Sequence, residues 1–269
     1  MAVKLPHEDV EQSPALGIFI LLILGGIGFS IFQDSMSIII FPIMMLGVLT
    51  LAASRGKGNV EEDLESVGVT GQGMGQSIII GVILGVVSLL IGSLILAIVP
   101  GKGSFVELGS ILIPATGTAA ALGVATVVPS YLVTSTNILA QWVYVAPGEE
   151  AGMRVLAVFG LQSIFKNVII SFLGATFMWA ALHIPLWMTT GVSEVMYLVI
   201  VVWGIIWSIQ FVIMRNFFSN VVSHATTNTG VILATELGFG GLNNIYVICT
   251  VAGITVALIL LGVYYARKQ

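Results

Sequence analysis

The chain has 269 residues, of which 57% are hydrophobic and only 8% charged, with a formal net charge of −4. Soluble domains carry about 25% charged residues, so the composition excludes an ordinary soluble enzyme, and the lack of a basic patch excludes a nucleic-acid binder. With a mean hydropathy of +1.08, the expected class is all-α: a polytopic, multi-pass transmembrane helix bundle of about eight to ten helices, set in the cell membrane. A single integral membrane domain over residues 1–269 is the simplest organisation.

The first residues, 1–13, are polar and mainly acidic (Glu8, Asp9, Glu11). They lack the basic start of a secretory signal, so the first apolar run is expected to be a retained helix over 14–32. A polar turn, Gln33-Asp34-Ser35, leads to a second helix ending near 53. Residues 54–75 form the largest polar segment, expected as a surface loop with a short interfacial helix over 60–67. A third long helix covers 76–99 and stops at Pro100-Gly101.

Two helices are predicted near 108–126 and 131–145, since Pro114 and Pro129 bend or end helices. Pro147-Gly148 should break the path, with a new helix over 149–164. Gln162, Lys166 and Asn167 read as a turn. Further helices are expected at 167–183 (stopped by Pro185), 193–214, 217–235 and 243–266. If every helical stretch spans, Lys4, Arg55, Lys57, Lys166, Arg215, Arg267 and Lys268 share one side and Lys102 the other. The positive-inside rule then puts both termini in the cytoplasm. The single Cys249 has no partner for a disulfide and reads as packing. Trp187, Trp203, Trp207, Tyr264 and Tyr265 read as interfacial or packing aromatics.

Three polar groups stand inside this apolar sequence: Glu149 and Glu150 with Arg154, His183, and His224 with Asn228. Ionisable side chains in hydrocarbon are costly unless they pair or line a wet cavity, which makes them functional candidates. Glu150 and Arg154 lie four apart on one helix face. Arg154 can neutralise one carboxylate and leave the other facing a cavity, although a pair that only fixes packing has the same pattern. His183 ends its helix, one turn after Trp179, as a cap or as a proton acceptor near neutral pH. His224 and Asn228, also four apart, are either oxyanion donors or polar links between helices. Amide hydrolysis needs a base for water, an acid for the leaving amine and donors for the oxyanion, and these residue types supply all three.

The order Glu149-Glu150-x-x-x-Arg154, Trp179-x-x-x-His183 and His224-x-x-x-Asn228 resembles the CAAX protease and bacteriocin-processing (CPBP, or Abi) family of intramembrane proteases, over residues 130–235. The resemblance implies a glutamate-dependent endopeptidase with no metal and no cofactor. Glu149 and His183 would activate water, His224 and Asn228 would stabilise the oxyanion, and Glu150, Arg154 and Trp179 would support the site. Many members have Phe-Arg-Gly where this chain has Met153-Arg154-Val155, and Trp179 replaces the more usual Phe. The implied partners are the lipid bilayer and a membrane-associated peptide or protein substrate, lipidated in some members. Two other readings remain: a zinc-dependent, metalloendopeptidase-like hydrolase with Glu149, His183 and His224 as ligands, and a non-enzymatic membrane subunit or proton-coupled transporter.

Overall fold

The computed structural model describes residues 36–53, 59–98, 137–184 and 193–236. The described residues form seven helices and no strand. The helices expected at 14–32, 108–126 and 243–266 lie outside them, as does Cys249.

Helix α1, Met36–Ala53, buries Met44, Val48, Leu51 and Ala52. The short α2, Val60–Ser66, follows from local chemistry. Asn59 Oδ1 accepts from the Glu62 backbone N–H, a donor that a helix start leaves open, and Asn59 Nδ2 donates to the Glu62 side chain at Oε1. Glu61, Glu62 and Asp63 place negative charge at the positive end of the helix dipole. Gly68, at φ +87°, turns the chain beside the Phe211 ring, and its carbonyl accepts from the Phe217 N–H.

Helix α3, Met74–Ile98, has 25 residues, about 37 Å at 1.5 Å per residue. Its residues 74–96, and those of α6, Glu194–Met214, are long and apolar enough to cross a membrane. Helix α5, Val168–Leu182, begins on the Asn167 side chain, which accepts from the N–H groups of Ile169 and Ile170. Lys166 (φ 53°) makes the sharp turn before it, and Arg215 (φ 45°) makes the turn between α6 and α7, Phe217–Glu236.

The break expected at Pro147-Gly148 is absent. Residues 137–165 are one continuous helical stretch, α4, with two π segments inside it, Gln141–Val145 and Ala151–Ala157. Proline lacks an N–H and crowds the preceding turn. Here that turn is already widened: the Ala146 N–H reaches the Gln141 carbonyl, five residues back. Pro147 then sits in the first turn of the α-helical piece Ala146–Glu150, where its missing donor is tolerated. Gln162 is likewise inside the helix and buried, rather than in a turn.

Two apolar clusters hold the bundle. One joins Met153 and Ala157 of α4 to Ala175 and Trp179 of α5, Val199, Trp203 and Trp207 of α6, and Val231 of α7. The other joins Met44 and Val48 of α1 to Ala151 and Val155 of α4 and Ala225 of α7. Trp203 and Trp207 are therefore core residues, not interfacial ones. Between α3 and α7 the backbones approach closely. A Cβ on Gly81 would lie 2.7 Å from the Ser219 carbonyl oxygen, and one on Gly85 the same distance from that of Ser223. The proximity lets Ser223 Oγ donate to the Gly81 carbonyl and Thr227 Oγ1 to that of Gly85, the small-residue packing expected where lipid offers no hydrophobic drive.

Gly85→Ala must push α7 away from α3, and overpacking of this kind costs about 1–3 kcal/mol. Thermal unfolding of the detergent-solubilised protein should show a lowered midpoint. Gly75→Ala, whose added Cβ meets nothing within 4 Å, should not lower it.

Candidate active site

Glu150 lies between the two π segments of α4 and is 1% exposed. Its Oε2 is 3.2 Å from Arg154 Nε, one turn later. Its Oε1 is 2.8 Å from His224 Nδ1 on α7. Asn220, one turn before His224, donates from Nδ2 to Glu150 Oε2 (3.3 Å) and to the Trp207 carbonyl (2.6 Å). A carboxylate beside a guanidinium can only accept, so the His224 Nδ1 carries a proton and donates it. Nε2 then points to the other side of the ring, where Glu149 Oε2 lies 3.8 Å away.

Glu149 is the open member of the pair, with 32% of its side chain accessible. Trp179 Nε1–H of α5 donates to its Oε2 at 2.6 Å. The two adjacent carboxylates thus have different surroundings: one is enclosed and charge-paired, the other anchored through one oxygen and partly accessible.

Aromatic rings form the walls. Trp207 stacks on His224 with centroids 4.3 Å apart and planes at 25°. Trp179 meets the same imidazole edge-on at 5.9 Å. The guanidinium carbon of Arg154 sits 5.5 Å from the Trp179 ring. Among the described residues the Arg154 nitrogens take no hydrogen bond, so its charge is met by Glu150 and the indole face. Trp207 is fixed from α3, because its Nε1–H donates to Ser88 Oγ at 3.1 Å.

His183 caps the C-terminal end of α5. Its Nδ1 is 2.8 Å from the Trp179 carbonyl oxygen, and its ring meets that indole edge-on at 4.9 Å. A carbonyl only accepts, so Nδ1 is the protonated nitrogen and Nε2 carries the lone pair in the neutral ring. Asn228 lies one turn beyond His224 and donates from Nδ2 to Gln141 Oε1 at 2.8 Å.

The structure therefore joins Glu149, Glu150, Arg154, Trp179, His183 and His224 through contacts that converge on Trp179 and His224, with Asn228 on the adjacent turn of α7. Reading the sequence missed Gln141, Asn220, Trp207 and Ser88. Gln141 and Asn220 carry the same signal used for the others, an amide inside apolar sequence, whereas nothing separates Trp207 or Ser88 from packing residues. Among the described residues no group of three or more His, Cys, Asp or Glu is arranged to hold a metal ion. A zinc site built from Glu149, His183 and His224 finds no support in this geometry.

Residues 131–230 match the Rce1-like family, described as Type II CAAX prenyl endopeptidase Rce1-like. No curated protein and no solved structure matches the chain. The family description is that of a protease, and the matched stretch contains each polar residue of this site from Gln141 to Asn228. It leaves out α1, α2 and α3.

Arg154→Ala would strand Glu150 as an uncompensated buried charge, at a cost of about 3–5 kcal/mol. Glu149→Gln alters a partly accessible group and should leave the fold intact. Thermal unfolding of the two variants side by side should show a large drop in midpoint for the first only.

Proposed function

We propose, from the match of residues 131–230 to the Rce1-like family, that the chain is an intramembrane endopeptidase cleaving lipidated, membrane-associated peptides without a metal ion. Residues 130–235 would be its catalytic core, within a multi-pass protein of the cell membrane. The observation that carries this reading is the unequal pair: an accessible Glu149 beside a Glu150 committed to Arg154 and His224.

Glu149 is the base. Trp179 holds one carboxylate oxygen, and the accessible part of the group takes a water. His183, whose Nδ1 is bonded to the Trp179 carbonyl, would meet the same water through Nε2. Water held by these two groups loses a proton to Glu149 as its oxygen attacks the scissile carbonyl carbon. The oxyanion that forms is met by Asn228 Nδ2–H and by His224. For His224 to donate through Nε2, the ring must carry a proton there as well as on Nδ1. Glu149 and Glu150 flank the two nitrogens, 3.8 and 2.8 Å away, so a doubly protonated ring would have a carboxylate on each side before the proton transfer, and Glu150 and the oxyanion after it. Collapse of the intermediate breaks the C–N bond, and the proton held by Glu149 passes to the leaving amine.

Glu150 and Arg154 stay out of the bond-making steps and hold His224 in place. The indoles of Trp179 and Trp207 exclude water from all but the Glu149 side, which strengthens the hydrogen bonds to the developing charge.

The test is cleavage of a prenylated CAAX peptide by the purified full-length protein, with a chelator present. Glu149→Ala and His183→Ala should each lower kcat by about 10²–10⁴-fold while leaving the thermal midpoint near that of the unaltered protein. Full activity in either variant, or loss of activity on chelation, would overturn the mechanism.

A further inference from the structure

We infer that Gln141 is a positioning residue that aims the Asn228 amide into the site; the inference rests on the oxyanion role proposed above for Asn228. Both side chains are enclosed, at 4% and 6% exposure. Asn228 Nδ2 donates to Gln141 Oε1 at 2.8 Å. An amide nitrogen carries two hydrogens. Gln141 takes one, which fixes the plane of the carboxamide and leaves the other in a set direction. Without that acceptor the amide turns about its terminal torsion, which is broad and nearly two-fold, and its oxygen can replace the nitrogen. An oxygen aimed at a developing oxyanion would repel it.

The backbone supports the same role. Gln141 opens the first π segment, and its carbonyl accepts from Ala146 N–H five residues on. A π turn holds an extra residue and so rotates the helix before it relative to the helix after it. Such turns are concentrated at functional sites. Here the turn carries residues 141 and 142 to α7 in a helix that also presents Glu149. The neighbouring contact, Trp142 Nε1–H to Thr229 Oγ1 at 3.0 Å, pins the same pair of turns one residue further along each helix.

The test uses the full-length protein in lipid nanodiscs and a prenylated CAAX peptide. Gln141→Leu should lower kcat about tenfold with KM nearly unchanged, because the lost interaction acts in the transition state. In an Asn228→Ala background the same substitution should cause no further loss. Gln141→Met, close to glutamine in length and without an acceptor, should show the same loss, and it guards against a Leu variant that does not fold. An undiminished kcat in folded Gln141→Leu beside a reduced one in Asn228→Ala overturns the positioning role and leaves the proposed function standing. An equal loss with or without Asn228 also overturns it, since Gln141 would then act elsewhere. Undiminished turnover in Asn228→Ala would instead remove the oxyanion role itself, and the inference with it.

Discussion

A charged carboxylate enclosed in an apolar bundle must be surrounded by donors and counter-charge, and Glu150 is where this chain meets that requirement. Removing each ion of such a pair from water costs several kcal/mol, which only close and well-formed contacts recover. Arg154 comes from the same helix, and His224 and Asn220 come from successive turns of α7. The register of α7 against α4 is therefore not free to slide: a shift of one residue would put Val221 and Ala225, which cannot donate, or the shorter Ser219 and Ser223 in the places of Asn220 and His224. The same contacts set the direction of the His224 ring, and Asn220 ties the assembly to α6 through the Trp207 carbonyl.

The enclosure of Glu150 also shapes the role of its neighbour. Consecutive residues on a helix point in different directions, so a fully enclosed Glu150 leaves Glu149 turned toward Trp179 and partly accessible. Behind both, α3 acts as a rigid wall. Its glycines admit α7 at close range, its carbonyls take the Ser223 and Thr227 hydroxyls, and Ser88 holds the tryptophan that stacks on His224. Constellations carried on helices and locked by such outer contacts keep their geometry better than loop-borne ones. The described helix most intimate with α7 thus lies outside the stretch that matches the Rce1-like family, and the site depends on both.

Much of this was legible in the sequence because lipid-like composition and helical spacing are strong signals. Uncharged runs gave helices close to those found at Met36–Ala53, Met74–Ile98 and Glu194–Met214, and the four-residue interval gave the Glu150–Arg154 contact. Which of two adjacent glutamates is enclosed depends on a helix some seventy residues away, and spacing cannot reveal it. Pro147 misled for a different reason: the rule for proline assumes an α turn before it, and the chain supplies a π turn. Trp207 and Ser88 are ordinary residues in apolar helices until the fold brings them to His224. Gln141 and Asn220 were overlooked although each is an amide in an apolar run, the feature that drew attention to Asn228.

The central claim is that Glu150 holds His224 through a protonated Nδ1. Nitrogen-15 NMR of the histidine-labelled protein in nanodiscs reads this directly, with His224→Asn assigning the resonance. The account predicts a His224 Nδ1 that bears a proton in strong hydrogen-bond contact, and a marked change of that signal in Glu150→Gln. A His224 ring protonated on Nε2 alone, indifferent to residue 150, would contradict it.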